Sequence, residues 1–435
     1  MRLRYPRSFQ RLMHEVRTRG LSDQATVQDF RDLRLRKFII HCAETVPYYQ
    51  KKFRELGIRA DSIKGLEDLS ECLPIMDKDE AIENLSSLIS ETIPKREIVW
   101  VHTSGTTGSG FRFPTTKHSI MEQWAICWRY REWHGISMDM WCGYFGGRTI
   151  VPVGQDKPPF WRWNYAGKQI LFSGYHLSEQ NAKHYLDFLD KHKPSWLHGY
   201  PSLISLLASF KMAEDVKRVW NPTVITTGAE SLLLHQREQI KAAFGVDPIQ
   251  HYGQAEAVAN ISQCEIGNLH VDEDFGAVEF VPDKNGAMRI VGTNLSNPAF
   301  PLLRYCTGDT VTLKEGFCSC GKPGRLVENI DGRIEDYVVL KSGALVGRLD
   351  HIFKDLTMIK EAQIRQKEIG KIEVLVSRRK GYSDKDESTL LREIRSRLGD
   401  IEVELRYVER IDRTGAGKLR LVISALPYSA MGKNS

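Results

Sequence analysis

The sequence predicts an α/β protein: a large N-terminal α/β domain with a β-rich subdomain, followed by a small α+β domain. Three observations carry this expectation. Between Trp141 and Tyr252, short β-like runs alternate with helical runs, the pattern of a parallel sheet with helical crossovers. From Gly276 onward the β-like runs draw closer together. After Asn329-Ile330-Asp331-Gly332-Arg333 the pattern changes again, to a compact mixture of strands and one helix.

In chain order, the first ~75 residues read as helical. Asp29–Tyr49 has apolar residues at mixed three- and four-residue steps and stops at Val46-Pro47. Glu97–His102 is a short β-like run that leads into a loop rich in Gly and Thr. Strands are expected at Trp141–Phe145, Lys168–Phe172, Ser195–His198, Thr223–Thr227 and Pro248–Tyr252, and helices at Glu179–His192, Ser202–Ala213 and Leu232–Ala243. The β-rich part comprises Ala277–Val281, Ala287–Gly292 and Thr310–Leu313. Beyond the boundary near Asp331–Asp336, strands are expected at Tyr337–Leu340, Gly343–Leu345, Glu361–Gln366, Lys371–Val376 and Val403–Val408, with a helix at Glu387–Leu398. The two domains are therefore 1–333 and 334–435.

Composition narrows the function classes. The 61 basic residues are interleaved with 55 acidic ones, for a net charge of +6, so no basic tail points to nucleic acid. Eight cysteines in 435 residues do not form a disulfide scaffold. The N-terminus, MRLRYPRSFQ, has charge but no apolar segment of a secretory signal. No run approaches the ~20 apolar residues of a membrane span. A cytoplasmic location is expected.

Thr103-Ser104-Gly105-Thr106-Thr107-Gly108 follows a strand. Its glycines let backbone N–H groups turn toward an anion, and its hydroxyls add donors without bulk. No Gly-Lys-Ser/Thr follows, so it is not a Walker loop. A flexible surface loop is the plain alternative. Four further segments accompany it in order: Thr227-Gly228-Ala229-Glu230, His251-Tyr252-Gly253-Gln254-Ala255-Glu256, Tyr305-Cys306-Thr307-Gly308-Asp309, and Arg413-Thr414-Gly415-Ala416-Gly417-Lys418. Taken singly, each has a structural reading as core, turn or surface. Their order along one chain argues against coincidence.

These segments resemble the motifs of the adenylate-forming superfamily of acyl-CoA synthetases, peptide-synthetase adenylation domains and luciferases. Within it, Thr45–Tyr49 (TVPYY) and Leu73–Lys78 (LPIMDK) resemble the phenylacetate-CoA ligase family and its CapK-like relatives. The resemblance runs from about residue 45 to residue 420. It implies an N-terminal domain that binds ATP and a carboxylic acid, and a mobile C-terminal domain hinged near Ile334-Glu335-Asp336. Gly228, Ala229 and Glu230 would border the adenine, at the C-terminal end of a strand. Tyr252 and Gly253 would flank the purine, and Glu256 would hold the Mg²⁺ carried by ATP. Asp309 would accept hydrogen bonds from the ribose hydroxyls, and Arg333 would reach the sugar or phosphate. Lys418 would enter the site for the first chemical step. The sequence departs from the family at Ala255, where a hydroxyl residue is usual, so one phosphate hydrogen bond is in question.

Cys264-x5-His270 and Cys318-Ser319-Cys320 together supply three thiolates and one imidazole, a full tetrahedral Zn²⁺ set with no open position. Similar sets occur in some phenylacetate-CoA ligase relatives. A structural zinc would clip the β-rich subdomain, Gly276–Leu313, to the main domain. Unrelated buried cysteines and a core histidine are the alternative, with Cys306 as a spare thiol. The aromatic-rich stretch from Trp124 to Phe145, with Trp161, Trp163 and His198–Ser202, would supply the acid pocket, which suits an aryl or apolar acid; core packing is the alternative. Arg148 reads as one half of a surface ion pair, or else as a partner for the carboxylate of the acid.

The implied reaction uses ATP and Mg²⁺ to convert the acid to acyl-AMP with release of pyrophosphate. Coenzyme A then accepts the acyl group. An amine, a sugar or a carrier protein is the alternative acceptor, since CapK-like members accompany surface (capsular) polysaccharide genes. A nucleotide-binding regulator without turnover is the non-enzyme alternative. The sequence leaves a homodimer open.

Overall fold

The computed structural model describes residues 8–102, 112–152, 154–213, 220–283, 286–331, 338–341, 345–346, 349–353, 356, 358–412 and 421–426. The helical N-terminus begins with Phe9–Arg19, Gln24–Thr45, Pro47–Leu56 and Leu66–Cys72. Asp23 caps the second helix by accepting the Thr26 N–H at 2.7 Å. The helix over Asp29–Tyr49 stops at Val46-Pro47, as expected. Val46 is extended, as a residue before proline prefers, and Pro47 opens a new helix in its first turn.

One twelve-stranded sheet runs through the body. Its spatial order is Ala277–Pro282, Met288–Thr293, Tyr305–Lys314, Leu326–Asp331, Leu269–Val271, Asn260–Gln263, Ile249–Gly253, Val224–Gly228, Trp196–Gly199, Cys142–Gly146, Gln169–Ser173, Trp161–Asn164. The strands from Ile249–Gly253 to Gln169–Ser173 are parallel, with Glu179–His192, Pro201–Ala213 and Leu234–Phe244 among the connecting helices. From Asn260 the pairing is antiparallel. The β-rich region therefore continues the parallel sheet, because Asn260–Gln263 pairs directly along Ile249–Gly253 and leaves no free edge between them.

All five parallel strands run one residue past their expected end, four of them onto Gly146, Gly199, Gly228 and Gly253 and the fifth onto Ser173. Glycine has low strand propensity and masks the true end. At Gly199 the reason is packing: a Cβ there would lie 2.1 Å from the Phe145 carbonyl oxygen. These glycines keep the C-terminal rim of the sheet low. The strand Tyr305–Lys314 begins five residues before its expected start at Thr310, so the whole Tyr305–Asp309 segment is strand.

The helix Lys117–Trp133 starts at Thr116, whose hydroxyl accepts the Ser119 N–H at 3.0 Å. It has no single apolar stripe, since it buries residues on several faces, from Met121 to Arg131. Separate hydrophobic clusters fill the N-terminal and antiparallel region, the parallel region, and the C-terminal unit. In that last unit a four-stranded sheet (Glu402–Tyr407, Lys371–Arg378, Ile359–Glu368, Val422–Ser424) packs Ile364 and Val374 with Leu390 and Ile394 of the helix Asp384–Leu398. The expected boundary between 333 and 334 falls outside the described residues. Among the described residues, no helix is long and apolar enough to cross a membrane.

Candidate functional site

At the glycine rim, three segments distant in sequence meet. The Tyr252 hydroxyl donates to Asp309 Oδ2 at 2.8 Å. Burial, then the neighbouring Asp309 charge, pushes the Tyr252 phenol well above its ordinary pKa, so it stays a donor. Asp309 is held from below: its N–H donates to Thr307 Oγ1 at 3.1 Å, while Gly308 takes φ 82° and bends the strand between them. The Tyr305 hydroxyl approaches Glu256 Oε1 at 3.5 Å. A flat phenol, a carboxylate on its edge and a second carboxylate beside them can stack a planar base, accept hydroxyl donors and hold a hard cation.

Gly228 pairs with His251 across the adjoining strands, and Ala229 then takes φ 67°, a left-handed conformation that L-residues adopt at a cost. Glu230 Oε2 accepts the Ser202 N–H at 3.1 Å, at the start of the helix Pro201–Ala213. That carboxylate thus steadies a helix start. The segments TVPYY and LPIMDK serve the same rim from behind. Tyr49 is a buried hydrogen-bond partner of Pro301 and Leu303, and Met76 bonds through its backbone to Arg304 and Cys306. Both therefore support the strand that carries Asp309.

Thr103–Gly108, Arg333 and Lys418 lie outside the described residues. The first belongs to the segment joining two antiparallel strands, Ile98–His102 and Arg112–Thr116, paired up to His102 and Arg112.

Cys264, His270, Cys318 and Cys320 come together, with their ligand atoms within 4.8 Å of one another. Cys264 Sγ is 3.8 Å from Cys318 Sγ, and Cys320 Sγ is 3.5 Å from His270 Nε2. Zinc–sulfur bonds of about 2.3 Å give tetrahedral edges of about 3.8 Å, so the donor set fits Zn²⁺. His270 Nδ1 bonds to the Pro323 carbonyl at 3.0 Å, which orients the ring and leaves Nε2 for a metal. Burial raises the Cys318 thiol, but hydrogen bonds from Cys320, Asn268 and His270 outweigh it and hold it at about 6. Burial and the crowding of Cys318 and Cys264 push Cys320 up to about 12. A divalent cation would let all three thiols ionise. The cluster spans the turn after Asn260–Gln263 and the loop before Leu326–Asp331, so it ties two hairpin ends of one sheet.

The aromatic stretch divides in two. Trp141, Trp163 and Tyr165 pack on one another around the edge strand Trp161–Asn164. That strand lies five positions from Ile249–Gly253, about 24 Å at ~4.8 Å per strand. These rings are core and edge packing. Trp124 and Trp128, on the helix Lys117–Trp133, instead lie against the guanidinium of Arg131, a residue that sequence reasoning passed over. Arg148 is exposed, with no ion pair among the described residues. A small cleft of about 60 Å³ lies between Gly146, Gly147, Tyr175 and Tyr200 and Val346, Leu349 and Arg397 of the C-terminal unit. There the Arg397 guanidinium lies 4.7 Å from the centre of the Tyr175 ring.

The chain is similar to known proteins in sequence and in fold. Residues 338–425 match the family model of the CapK C-terminal domain. The chain is 27% identical to Protein CapK of Staphylococcus aureus, over 81% of this chain and 79% of that protein. It is 26% identical to the phenylacetate-coenzyme A ligase of Thermus thermophilus, over 71% and 70% respectively. The crystal structure of 2-hydroxyisobutyryl-CoA ligase in complex with 2-HIB-AMP and CoA shares the fold, at TM-score 0.58 and 18% identity, covering 93% of this chain and 91% of that one. CapK and the phenylacetate-CoA ligases are thus homologues of this chain, and its fold is that of adenylate-forming acyl-CoA ligases.

Proposed function

We propose that the protein activates a carboxylic acid with ATP, releasing pyrophosphate and forming acyl-AMP, then passes the acyl group to coenzyme A. The observation that carries this reading is the Tyr252–Asp309 hydrogen bond beside Glu256, at the C-terminal rim of the parallel strands. In this reading Thr103–Gly108 cradle the phosphates, while Gly228, Ala229 and Gly253 border the adenine. Asp309 and Arg333 hold the ribose, and Glu256 holds the Mg²⁺ that accompanies ATP. Residues 1–333 bind ATP and acid, and 334–435 deliver Lys418 to the α-phosphate. The carboxylate oxygen attacks the α-phosphorus as the bond to pyrophosphate breaks; the thiol of CoA then attacks the acyl carbon and AMP leaves.

The likeness to 2-hydroxyisobutyryl-CoA ligase, whose complex holds an acyl-AMP and CoA, supports this order of steps. A second acceptor class, an amine or sugar, is favoured by the match of residues 338–425 to the CapK C-terminal domain, because that unit would meet the acceptor. Pyrophosphate release with a broad panel of acids, with and without CoA and followed by mass detection of a thioester, tests both readings. Acid-dependent release without thioester points to the second acceptor class. ATP binding without acid-dependent release of pyrophosphate overturns both and leaves a nucleotide-binding regulator.

Cys264, His270, Cys318 and Cys320 would hold Zn²⁺ as a structural ion. Metal analysis of the purified chain should return about one zinc per chain, and Cys318→Ser should lower both zinc content and thermal stability. A fully folded, metal-free protein would overturn the site.

A further inference from the structure

Four arginines among the described residues are buried: Arg31, Arg129, Arg131 and Arg304. Three of them meet carboxylates. Arg31 pairs with Glu273, Arg129 with Asp272 and Asp274, and Arg304 with Glu279. Arg131 has no carboxylate partner and no side-chain hydrogen bond among the described residues. Its guanidinium instead lies over three indoles, 4.8 Å from the centre of Trp128, 5.0 Å from Trp196 and 5.6 Å from Trp124.

A cation removed from water is held by aromatic faces only in part; a charged hydrogen-bond partner completes it. Two further donors in this cluster lack partners. Trp196 Nε1 and the Tyr130 hydroxyl are buried without a hydrogen bond. The two imidazoles nearby add no positive charge. Burial, then the Arg131 charge, lowers both His198 and His251 to about 3, so both are neutral at pH 7.

This cluster adjoins the nucleotide rim. Tyr130 packs on the His251 ring at 5.1 Å, and His251 precedes Tyr252 in its strand. Gln123, on the same helix as Arg131, donates to the Gln254 carbonyl at 3.0 Å. His198 bonds through Nδ1 to Thr226 Oγ1 at 2.7 Å, two residues before Gly228. The Arg131 cluster, with its buried cation over three indoles, is thus tied through Gln123, Tyr130 and His198 to the strands that carry Tyr252 and Gly228.

We infer that the acid has a second group, anionic at neutral pH and remote from the reacting carboxylate, which Arg131 binds within the Trp124–Trp128–Trp196 cage. The inference rests on the acid-activating function proposed above. It names the substrate class: a dicarboxylic acid, or an acid whose far end bears an equivalent oxyanion.

Equilibrium binding of paired acids to the full chain tests it directly. The probes are α,ω-dicarboxylates of graded length and benzene dicarboxylates, each set against the monoacid of matched size. At least one diacid should bind about ten- to a hundredfold tighter than its monoacid, and Arg131→Met should abolish that preference while Arg131→Lys keeps part of it. Equal or weaker binding of every diacid to the wild-type chain overturns the inference, as does a preference that survives Arg131→Met. The wild-type comparison decides the matter even where the variant does not fold. Pyrophosphate release is measured in parallel: a binding preference without release retains the anion site and rejects adenylation, whereas release that favours monoacids, with no diacid preference in binding, does the reverse.

Discussion

Lys418→Ala should lower acid-dependent pyrophosphate release by about 10²–10³-fold and leave the fold unchanged. In the proposed first step a carboxylate attacks a phosphate, so two anions approach and the transition state gathers further charge on the α-phosphate oxygens. A positive charge placed there is worth more in the transition state than in the ground state, and losing one such contact costs about that factor. Lysine suits the task as a compact charge on a flexible stem, and Gly415 and Gly417 beside it remove side-chain obstacles. The fold should survive because the segment is anchored at both ends by other residues. Ile411 is buried before it, and Leu421 and Val422 are buried after it, where Val422–Ser424 joins the C-terminal sheet. Conversion of preformed acyl-AMP to product should stay near the wild-type rate, since in the proposed cycle Lys418 enters the site only for the first step. Near-normal pyrophosphate release in the variant would remove Lys418 from the chemistry.

How much of this was legible in the sequence depended on what each residue answers to. The alternation of strand and helix between residues 141 and 253 is set by local propensity and period, and those elements fell within a residue or two of expectation. Their errors were systematic, because the terminal glycines serve the neighbouring strand and the site rim rather than strand propensity. The cluster of Cys264, His270, Cys318 and Cys320 was legible as a set because metal chemistry restricts residue type and number. The antiparallel strands Asn260–Gln263, Leu269–Val271 and Leu326–Asp331 were not expected, since long-range pairing leaves little trace in a short stretch. Arg131 was hidden for a related reason. Near a helix end, Trp-Arg-Tyr-Arg-Glu-Trp reads as surface charge among core rings, and only the fold shows that one arginine finds carboxylates far along the chain and the other does not. Arg148, expected in a surface ion pair, is exposed but has no ion pair among the described residues.

Those two arginines supply the second large effect. Arg129→Met should destabilise the N-terminal body by about 3–5 kcal/mol, whereas Arg131→Met should shift its unfolding far less. The residues stand two apart on one helix, about 200° around its axis, and so face different neighbours. Arg129 donates to both oxygens of Asp274 at 2.9 Å and to Asp272 at 2.8 Å, and a further N–H reaches the Val16 carbonyl at 3.1 Å. Both carboxylates are buried. Burial alone would raise Asp274, but Arg129 first and Arg19 next hold it down at about 2. Asp272 is raised instead, by its burial and by the Asp274 charge, against the pull of Arg129. Without Arg129 two like charges remain in the interior with only Arg19 to offset one of them. Removal of Arg131 leaves no such orphan, because among the described residues no carboxylate depends on it. Urea unfolding followed by the tryptophans should show a lowered midpoint for Arg129→Met, partly restored when Asp272→Asn and Asp274→Asn are added. Equal shifts for the two methionine variants would mean that the Asp272–Asp274 pair does not depend on Arg129 and that the contrast between a structural and a ligand-facing arginine on this helix is wrong.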